Sequence, residues 1–546
     1  MAEPVRIPSL LVALGLVNAI FVSPRWLAAG RVGPPWLALE ACLVIGLLVL
    51  LPTRRWTTPF AATLACASVI LSLVAFADAV LRGSLGRPLN LYLDVRLLRS
   101  VGALLTGTFG AMLGVAIAVG FMACVALATW LFARLLVSLA VRGPGRVERV
   151  AGGVLVAVSV AGVAGAWPAV SLAPAPTVVR VARDQTRQFG RMMAESDRFA
   201  VELRAIPASY ATLDGLLEGL RGRDVMLAFV ESYGMSAVDD PRYAPIVRSR
   251  LGELDSRLAR AGLHVATGTL VSPTQGGQSW LAHGSVLGGA WLDNQLRYDA
   301  WLASGRETLI DDFRRAGHRT VAVVPAITLA WPEGERLGYD RILARRDIDY
   351  AGPALNWVTM PDQFTWSFVE RAVRATATAQ DPIFVEISLI SSHAPWTPIL
   401  PVLDDWESIG DGAVFAPWEH AGERPEDLWL DTTRVQEHYA RSVDYAINAM
   451  VGYAERYVTD RALLIVLGDH QAAPLITGED AVRAVPVHVI SGDPALVQPF
   501  LDWGFHPGAF PDPDQRARRM DDFRGWFIRA YSVPAAVSPT AAARAQ

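Results

Sequence analysis

Val101–Val141 runs for 41 residues on a single charge, Arg134. No ordinary water-soluble fold needs so long an apolar stretch. A helix of ~20 apolar residues crosses a ~30 Å hydrocarbon core, so this segment supplies one long tilted helix with an interfacial extension, or two spans. Four others flank it: Ile7–Val22, Pro35–Leu51, Pro59–Leu81 (with one acid, Asp78) and Val150–Leu172, which carries no charge. Ile7–Val22 follows Arg6 as a signal peptide would, but it lacks a small-residue cleavage site with a polar follow-on, and more apolar segments come after it. The expectation for residues 1–172 is a transmembrane helical bundle of about five spans. The positive-inside rule does not orient it. With five spans, Arg6, Arg54, Arg55, Arg142, Arg146 and Arg149 fall on one side, and Arg25, Arg31, Arg82, Arg87, Arg96 and Arg99 on the other. An amphipathic Asn90–Ser100 lying on the membrane surface would break part of that tie.

Composition narrows what the remainder can do. Apolar residues make up 52% of the chain and charged ones 19%, with the apolar excess in the first third. A net charge of −4 argues against a nucleic-acid binder. Every basic residue other than histidine is arginine, a bias expected of a GC-rich bacterial genome. The three cysteines, Cys42, Cys66 and Cys124, all lie in apolar segments. That disfavours a disulfide framework, a cysteine zinc site and a formylglycine sulfatase, which needs a modifiable residue in a Cys-x-Pro-x-Arg setting.

Beyond Pro174 and Pro176, residues 173–222 read as a linker. Phe189, Met192, Met193, Phe199 and Leu203 recur at helical spacing among charges, which suits one or two amphipathic helices seated on a bilayer. From 223 to 532 strands and helices alternate. The strands are Val225–Val230, a short His264–Ala266, Thr320–Val324, Ile383–Ile390, Ala462–Leu467 and Val485–Ile490. The helices are Ala244–Ala261, one starting at Ser279–Leu287, Thr308–Ala316, Gln363–Ala375, Val435–Tyr457 and Met520–Tyr531. That alternation predicts an α/β domain with a mostly parallel sheet covered on both faces. Residues 533–546, rich in Ala and Pro, read as a disordered tail.

Polar residues follow apolar runs at four places. Glu231 closes Val225–Val230. A loop runs from Ser272 to Trp280, Ser-Pro-Thr-Gln-Gly-Gly-Gln-Ser-Trp. Ser391-Ser392-His393-Ala394-Pro395-Trp396 follows Ile383–Ile390. Asp469 and His470 follow Ala462–Leu467 and Gly468. Ligands of open α/β sheets sit beyond the carboxyl ends of the strands, and carboxylate and imidazole are suitable donors for a divalent metal. Each place has a plainer reading: Glu231 beside a helix N-terminus, Ser279 as a helix cap, the histidines as structural hydrogen-bonders. Their joint occurrence at one sheet edge favours a site.

This arrangement resembles the alkaline phosphatase/sulfatase superfamily, within it the membrane-anchored lipoteichoic acid synthase and phosphoethanolamine transferase branch. The likeness covers a multi-span N-terminal region, a helical linker and an extracytoplasmic catalytic domain. It implies that Glu231, Ser279, Asp469 and His470 bind one divalent metal ion, Mn²⁺ or Zn²⁺, with Ser279 as nucleophile. Thr274–Ser279 lies over a family loop reading roughly Thr-Gly-Gln-Gly-Lys-Thr; the nucleophile here is Ser where the family usually has Thr. Ser392-His393-Ala394-Pro395-Trp396 is close to the family's Ser-His-x-Pro-Phe, which makes His393 a substrate-phosphate contact and a second catalytic residue. Thr274 and Asp444 are implied substrate-binding positions. Asp444 stands where the synthases place a histidine on phosphoglycerol, and His438, one turn earlier, is its possible stand-in. Arg345, Asp349 and Trp357 are further pocket candidates in a polar middle region.

The resemblance implies a metalloenzyme in the bacterial cytoplasmic (inner) membrane, multi-pass, with its catalytic domain on the periplasmic side. It would move a phospho-alcohol group, of phosphoglycerol or phosphoethanolamine type, from a phospholipid donor to an envelope glycan or lipid acceptor. Its partners are then the bilayer and these two substrates, with no nucleic acid. Two other readings stay open: a phosphodiesterase or sulfate-ester hydrolase with water as acceptor, and a non-catalytic envelope assembly factor.

Overall fold

The apolar segments fold as helices. The computed structural model describes residues 7–28, 36–52, 55–95, 98, 101–102, 105–106, 110–141, 145–163, 178–478, 480–512 and 514–532. The chain divides into two compact units, Met1–Glu195 and Ser196–Gln546. The division falls inside the expected linker.

In the first unit the helices are α1 (Ile7–Ala28), α2 (Leu39–Leu50), α3 (Thr57–Leu85), α4 (Ala111–Val141) and α5 (Arg146–Val163). Val101–Val141 therefore holds one continuous helix from Ala111 rather than two spans. Thr57–Leu85 and Ala111–Leu139 are each long and apolar enough to cross a membrane. By contrast α2, with 12 residues, is only ~18 Å long at 1.5 Å per residue, short of a ~30 Å core. Helix α5 opens on Arg146, Glu148 and Arg149, and the rest of the expected fifth span, 164–172, lies outside the described residues. Among them, then, two helices of five meet the requirement for a span. Six of the arginines weighed for orientation (Arg6, Arg31, Arg54, Arg96, Arg99 and Arg142), Pro174, Pro176 and the tail from 533 also lie outside.

Small residues set the packing of this unit. Gly46 on α2 faces Gly152 on α5 so closely that a Cβ on Gly46 would lie 2.8 Å from the Gly152 carbonyl oxygen. The Ser159 hydroxyl donates to the Leu39 carbonyl at 2.9 Å. Met112, Val119, Phe121 and Met122 on α4 stay exposed. An apolar surface of that extent calls for a non-aqueous covering. Of Asn90–Ser100, Leu91–Asp94 forms one short helical turn capped by the Asn90 side chain. Within the expected linker, Val178–Ala205 forms one 28-residue helix, α6.

In the second unit a nine-stranded sheet has the order β4-β3-β5-β1-β6-β7-β2-β8, with β9 also pairing β2. The strands are β1 (Asp224–Val230), β2 (His264–Val271), β3 (Arg319–Val324), β4 (Arg341–Ala344), β5 (Ile383–Leu389), β6 (Ala462–Gly468), β7 (Ala484–Ser491), β8 (His506–Pro507) and β9 (Arg518–Arg519). β7 runs antiparallel to both β6 and β2, and β8 antiparallel to β2. β1, β3, β4, β5 and β6 are parallel. The flanking helices are α7 (Ala244–Arg260), α8 (Ser279–Gly288), α9 (Gln295–Ala303), α10 (Leu309–Arg315), α11 (Asp362–Phe368), α12 (Thr432–Tyr457), α13 (Pro494–Asp502) and α14 (Asp522–Tyr531).

β1 shows how the layers form. All seven of its residues are buried. Met226, Ala228 and Val230 pack with residues of α7 and α12, whereas Val225, Leu227 and Phe229 pack with α8, α10 and α14. Period-two alternation thus feeds two cores, one on each face, and turns the strand ends over to polar residues.

Three departures from expectation have local causes. β2 continues five residues past Ala266: the Thr267 hydroxyl pairs with His488 Nδ1 at 3.0 Å on β7, and Gly268 lies under the Phe505 ring, 2.4 Å from where a Cβ would be. β4 is a four-residue strand opening on Arg341, too short and too polar at its start to stand out in sequence. The helix expected over Gln363–Ala375 widens to a π-helical turn at Val369–Val373 and tightens at Arg374–Thr376.

Candidate metal centre and nucleophile

Strand register brings the first ligands together. Val230 on β1 pairs with Gly468 on β6, so Glu231 and Asp469 leave adjacent parallel strands side by side. On the other flank Val230 pairs with Leu389 on β5, and that strand delivers the His393 loop. Gly468 allows the close approach: a Cβ there would sit 1.8 Å from the Tyr233 carbonyl oxygen. The chain then turns at Ser232, with φ +55°. That left-handed conformation is strained for a non-glycine residue. In it the Ser232 amide donates to Asp469 Oδ1 at 2.8 Å and its hydroxyl to Glu231 Oε1 at 2.7 Å. The Tyr439 hydroxyl holds the Ser232 carbonyl at 2.9 Å.

Ser279 arrives from β2, two strands beyond β6. The loop is stitched to the β6 exit: the Ser272 hydroxyl donates to the Asp469 carbonyl at 2.7 Å, and the Gly276 amide to the Gln471 carbonyl at 2.8 Å. Gly276, Gly277 and Gln278 all take positive φ (72°, 142° and 64°). This turn puts Ser279 in the first turn of α8. Gln278, not Ser279, stands at the capping position. The Ser279 hydroxyl instead lies 3.2 Å from His470 Nε2 and donates to Glu231 Oε2 at 3.4 Å.

The donor atoms of Glu231, Asp469 and His470 all lie within 4.8 Å of one another. His470 Nε2 is 3.5 Å from Glu231 Oε1 and 3.4 Å from Asp469 Oδ2. Asp469 and His470 are buried. His470 Nδ1 faces the Gln471 carbonyl at 2.9 Å, so Nδ1 carries the proton and the Nε2 lone pair points into the cluster. Electrostatics tell the same story. Burial, reinforced by the Glu231 carboxylate, pushes Asp469 up to about 6. Burial depresses His470, but Asp469 and Glu231 more than reverse this, and its pKa is raised. For Glu231 burial is overridden by His470, His393, the Ser232 hydrogen bond and His283, and its pKa is lowered. The cluster is short of positive charge, and two carboxylates, one imidazole lone pair and one hydroxyl make a donor set that fits a divalent cation.

His393 stands exposed beside this cluster. Its Nδ1 is held by the Ala394 carbonyl at 2.5 Å, which leaves Nε2 for a substrate. The neighbouring Ser392 hydroxyl donates to the Glu231 carbonyl at 2.5 Å, tying loop to strand. The Thr274 hydroxyl donates to the Gly277 carbonyl at 2.6 Å, so it braces the loop that carries Ser279. Asp444 is engaged as well. Arg250 Nε and Nη2 take its two oxygens at 2.8 and 3.2 Å, a bidentate pair that fastens α7 to α12. His438 Nδ1 faces the Trp396 carbonyl at 3.0 Å, and Asp349 pairs with Arg371 at 2.7 Å. Sequence reasoning missed His283. Its ring lies on Phe229 at 3.7 Å and its Nδ1 meets Glu386 Oε1 at 2.7 Å. The signal was its position four residues after Ser279, on the same helix face.

No protein-family model matches the chain, and no curated protein matches it. Solved structures of the alkaline phosphatase superfamily are similar in outline. The lipoteichoic acid synthase LtaP from Listeria monocytogenes is 10% identical over 61% of this chain and 77% of its own, at a TM-score of 0.40. An alkaline phosphatase superfamily protein from Vibrio parahaemolyticus is 13% identical, over 57% and 67%, at 0.36. The periplasmic domain of EptC from Escherichia coli, in complex with Zn, is 14% identical, over 58% and 85%, at 0.35. At such scores the likeness bears on no residue, and the case for the site stands on the distances above.

Proposed function

We propose that the protein is a membrane-anchored phosphotransferase of the alkaline phosphatase/sulfatase superfamily, which passes a phospho-alcohol group from a phospholipid to an envelope acceptor through Ser279. One observation carries this: the Ser279 hydroxyl, at the amino end of α8, touches both His470 Nε2 and Glu231 in a cluster completed by Asp469. Glu231, Asp469, His470 and the Ser279 hydroxyl would hold one divalent ion, Mn²⁺ or Zn²⁺. When bound, such an ion lowers the hydroxyl's pKa and screens charge on a phosphate oxygen.

The chain's own residues then account for the rest. Ser279 Oγ, its proton given up to solvent, attacks phosphorus, the bond from phosphorus to the leaving alcohol breaks, and a phosphoserine diester remains. The helix terminus favours the anionic group. His393 Nε2 protonates the departing alkoxide; it then takes a proton from the incoming hydroxyl, whose oxygen bonds to phosphorus as the bond to Ser279 Oγ breaks. With water as the incoming group the same residues would make a hydrolase.

The lipid part of the reading rests on two observations. The first unit carries two helices suited to a bilayer, and we read its five helices as a multi-pass inner-membrane anchor with the site on the periplasmic side. The second is the distribution of exposed large apolar side chains in the second unit. Among the described residues past Ala205 these are Trp280, Leu329, Trp357, Trp429, Leu430, Leu475 and Val482. All seven lie in segments at the carboxyl edge of the sheet, the edge that holds Ser279, and three are tryptophans, which favour membrane interfaces. An amphiphilic donor suits such a rim. Incubating the purified chain and its Ser279→Ala variant with lipid extract and Mn²⁺ tests the reading: diacylglycerol release should require Ser279.

A further inference from the structure

Glu386 sits inside the sheet, paired in register with Leu227 and Ala322, and is buried. A carboxylate in such a place is costly unless it is satisfied. Among the described residues it has two hydrogen-bond partners: His283 Nδ1 at 2.7 Å and the Tyr339 hydroxyl. The mechanism above uses none of the three.

The dyad is aimed. His283 and Ser279 share one face of α8 at i, i+4 spacing. The imidazole lies flat on Phe229, at 3.7 Å and 16°, and Phe229 precedes Glu231 by two residues on the same strand face. With Nδ1–H given to Glu386, the free end of the ring is Nε2. That atom has no hydrogen-bond partner among the described residues, and the side chain keeps 16% of its surface exposed.

We propose that His283 is a substrate-binding residue of this site: its Nε2–H donates to a non-bridging oxygen of the phosphoryl group that Ser279 attacks, and Glu386 with Tyr339 are positioning residues that aim it. The inference rests on the proposed function. An imidazolium between a buried carboxylate and a phosphoryl oxygen makes two charge-assisted hydrogen bonds. It stands on the nucleophile's side of phosphorus, so it holds the group rather than protonating the alcohol that departs opposite.

The test uses the full-length chain in detergent, loaded with Mn²⁺, acting on bis(4-nitrophenyl) phosphate, whose good leaving group needs no proton. His283→Asn keeps an N–H for Glu386 but has nothing at the Nε2 position. It should lower kcat by about 10²-fold, with metal content and melting as in wild type. His283→Gln, whose amide reaches that position, should recover about tenfold of this. Glu386→Gln should lower kcat in the wild type but add nothing in the His283→Asn background, the coupling expected of groups acting as a unit. Should His283→Asn fold poorly, His283→Leu with Glu386→Met removes the buried pair together and gives the same decision. A His283→Asn rate within about threefold of wild type, with Ser279→Ala inactive, overturns the inference alone. An active Ser279→Ala overturns the proposed function and this inference with it.

Discussion

Asp362→Asn offers a graded test of how the His393 loop is held. Asp362 opens α11 and is fully buried. Its Oδ1 accepts the amides of Ile390 and Ser391 at 2.8 and 2.9 Å, the two residues that carry β5 into the His393 loop. Its Oδ2 has no hydrogen-bond partner among the described residues. Burial raises its pKa from 3.8 to about 6; the bonds from Ser391 and Ile390 offset part of the rise and the Glu231 carboxylate adds to it. A shift of about 2 units corresponds to about 3 kcal/mol. Because the folded pKa lies above the unfolded one, the folded state holds the extra proton between about pH 4 and 6. The stability this contributes is fully present below about 4 and lost as pH rises through about 6. Asparagine keeps the accepting oxygen and carries no charge. The variant should therefore gain on wild type with rising pH, by up to about 3 kcal/mol, and the gain should level off above about pH 7. Thermal melting of both proteins from about pH 4.5 to about 8, at fixed detergent and salt, measures it. Activity at neutral pH should persist, since the loop keeps its anchor. A stability difference that does not vary with pH would refute the reasoning.

Gly468→Ala should be severe: its methyl would meet the Tyr233 carbonyl, and forcing β1 and β6 apart should cost about 2–3 kcal/mol and abolish metal retention, read by elemental analysis. Asp312→Ala strands Arg524, its fully buried partner at 2.9 Å, and should lower stability by about 3–5 kcal/mol in chemical denaturation, whereas replacing both with apolar residues should restore most of it. Asp444→Asn should leave turnover within about twofold of wild type and cost about 1 kcal/mol, because its partly buried pair with Arg250 joins two helices; a selective loss of turnover would place Asp444 in the site.

The strands that carry the site were the most legible part of the chain. Buried runs such as Ala462–Leu467 announce themselves by length and by β-branched and aliphatic content, and the polar residues that end them fall where parallel strands expose their carboxyl ends. Glu231, Ser279, Asp469 and His470 could be named for that reason. What the sequence could not supply was who bonds to whom. Thr274 and Asp444 looked available because a polar side chain near a motif carries no mark of the Gly277 carbonyl or the Arg250 guanidinium that occupies it. His283 and Glu386 were hidden for the converse reason: one reads as a lone polar residue on a helix, the other as a break in an apolar strand, and only the packing of α8 on the sheet joins them. The span count was limited by composition, which marks apolar segments well but does not fix where a helix such as α2 stops.

The central claim is that Ser279 carries the transferred group. Mass spectrometry of peptides from the full-length chain, after brief incubation with phospholipid and Mn²⁺, tests it most directly. The account predicts a phosphodiester adduct on Ser279 whose mass names the head group, absent from Ser279→Ala. Turnover that continues in Ser279→Ala, with no adduct on the wild-type serine, would contradict it.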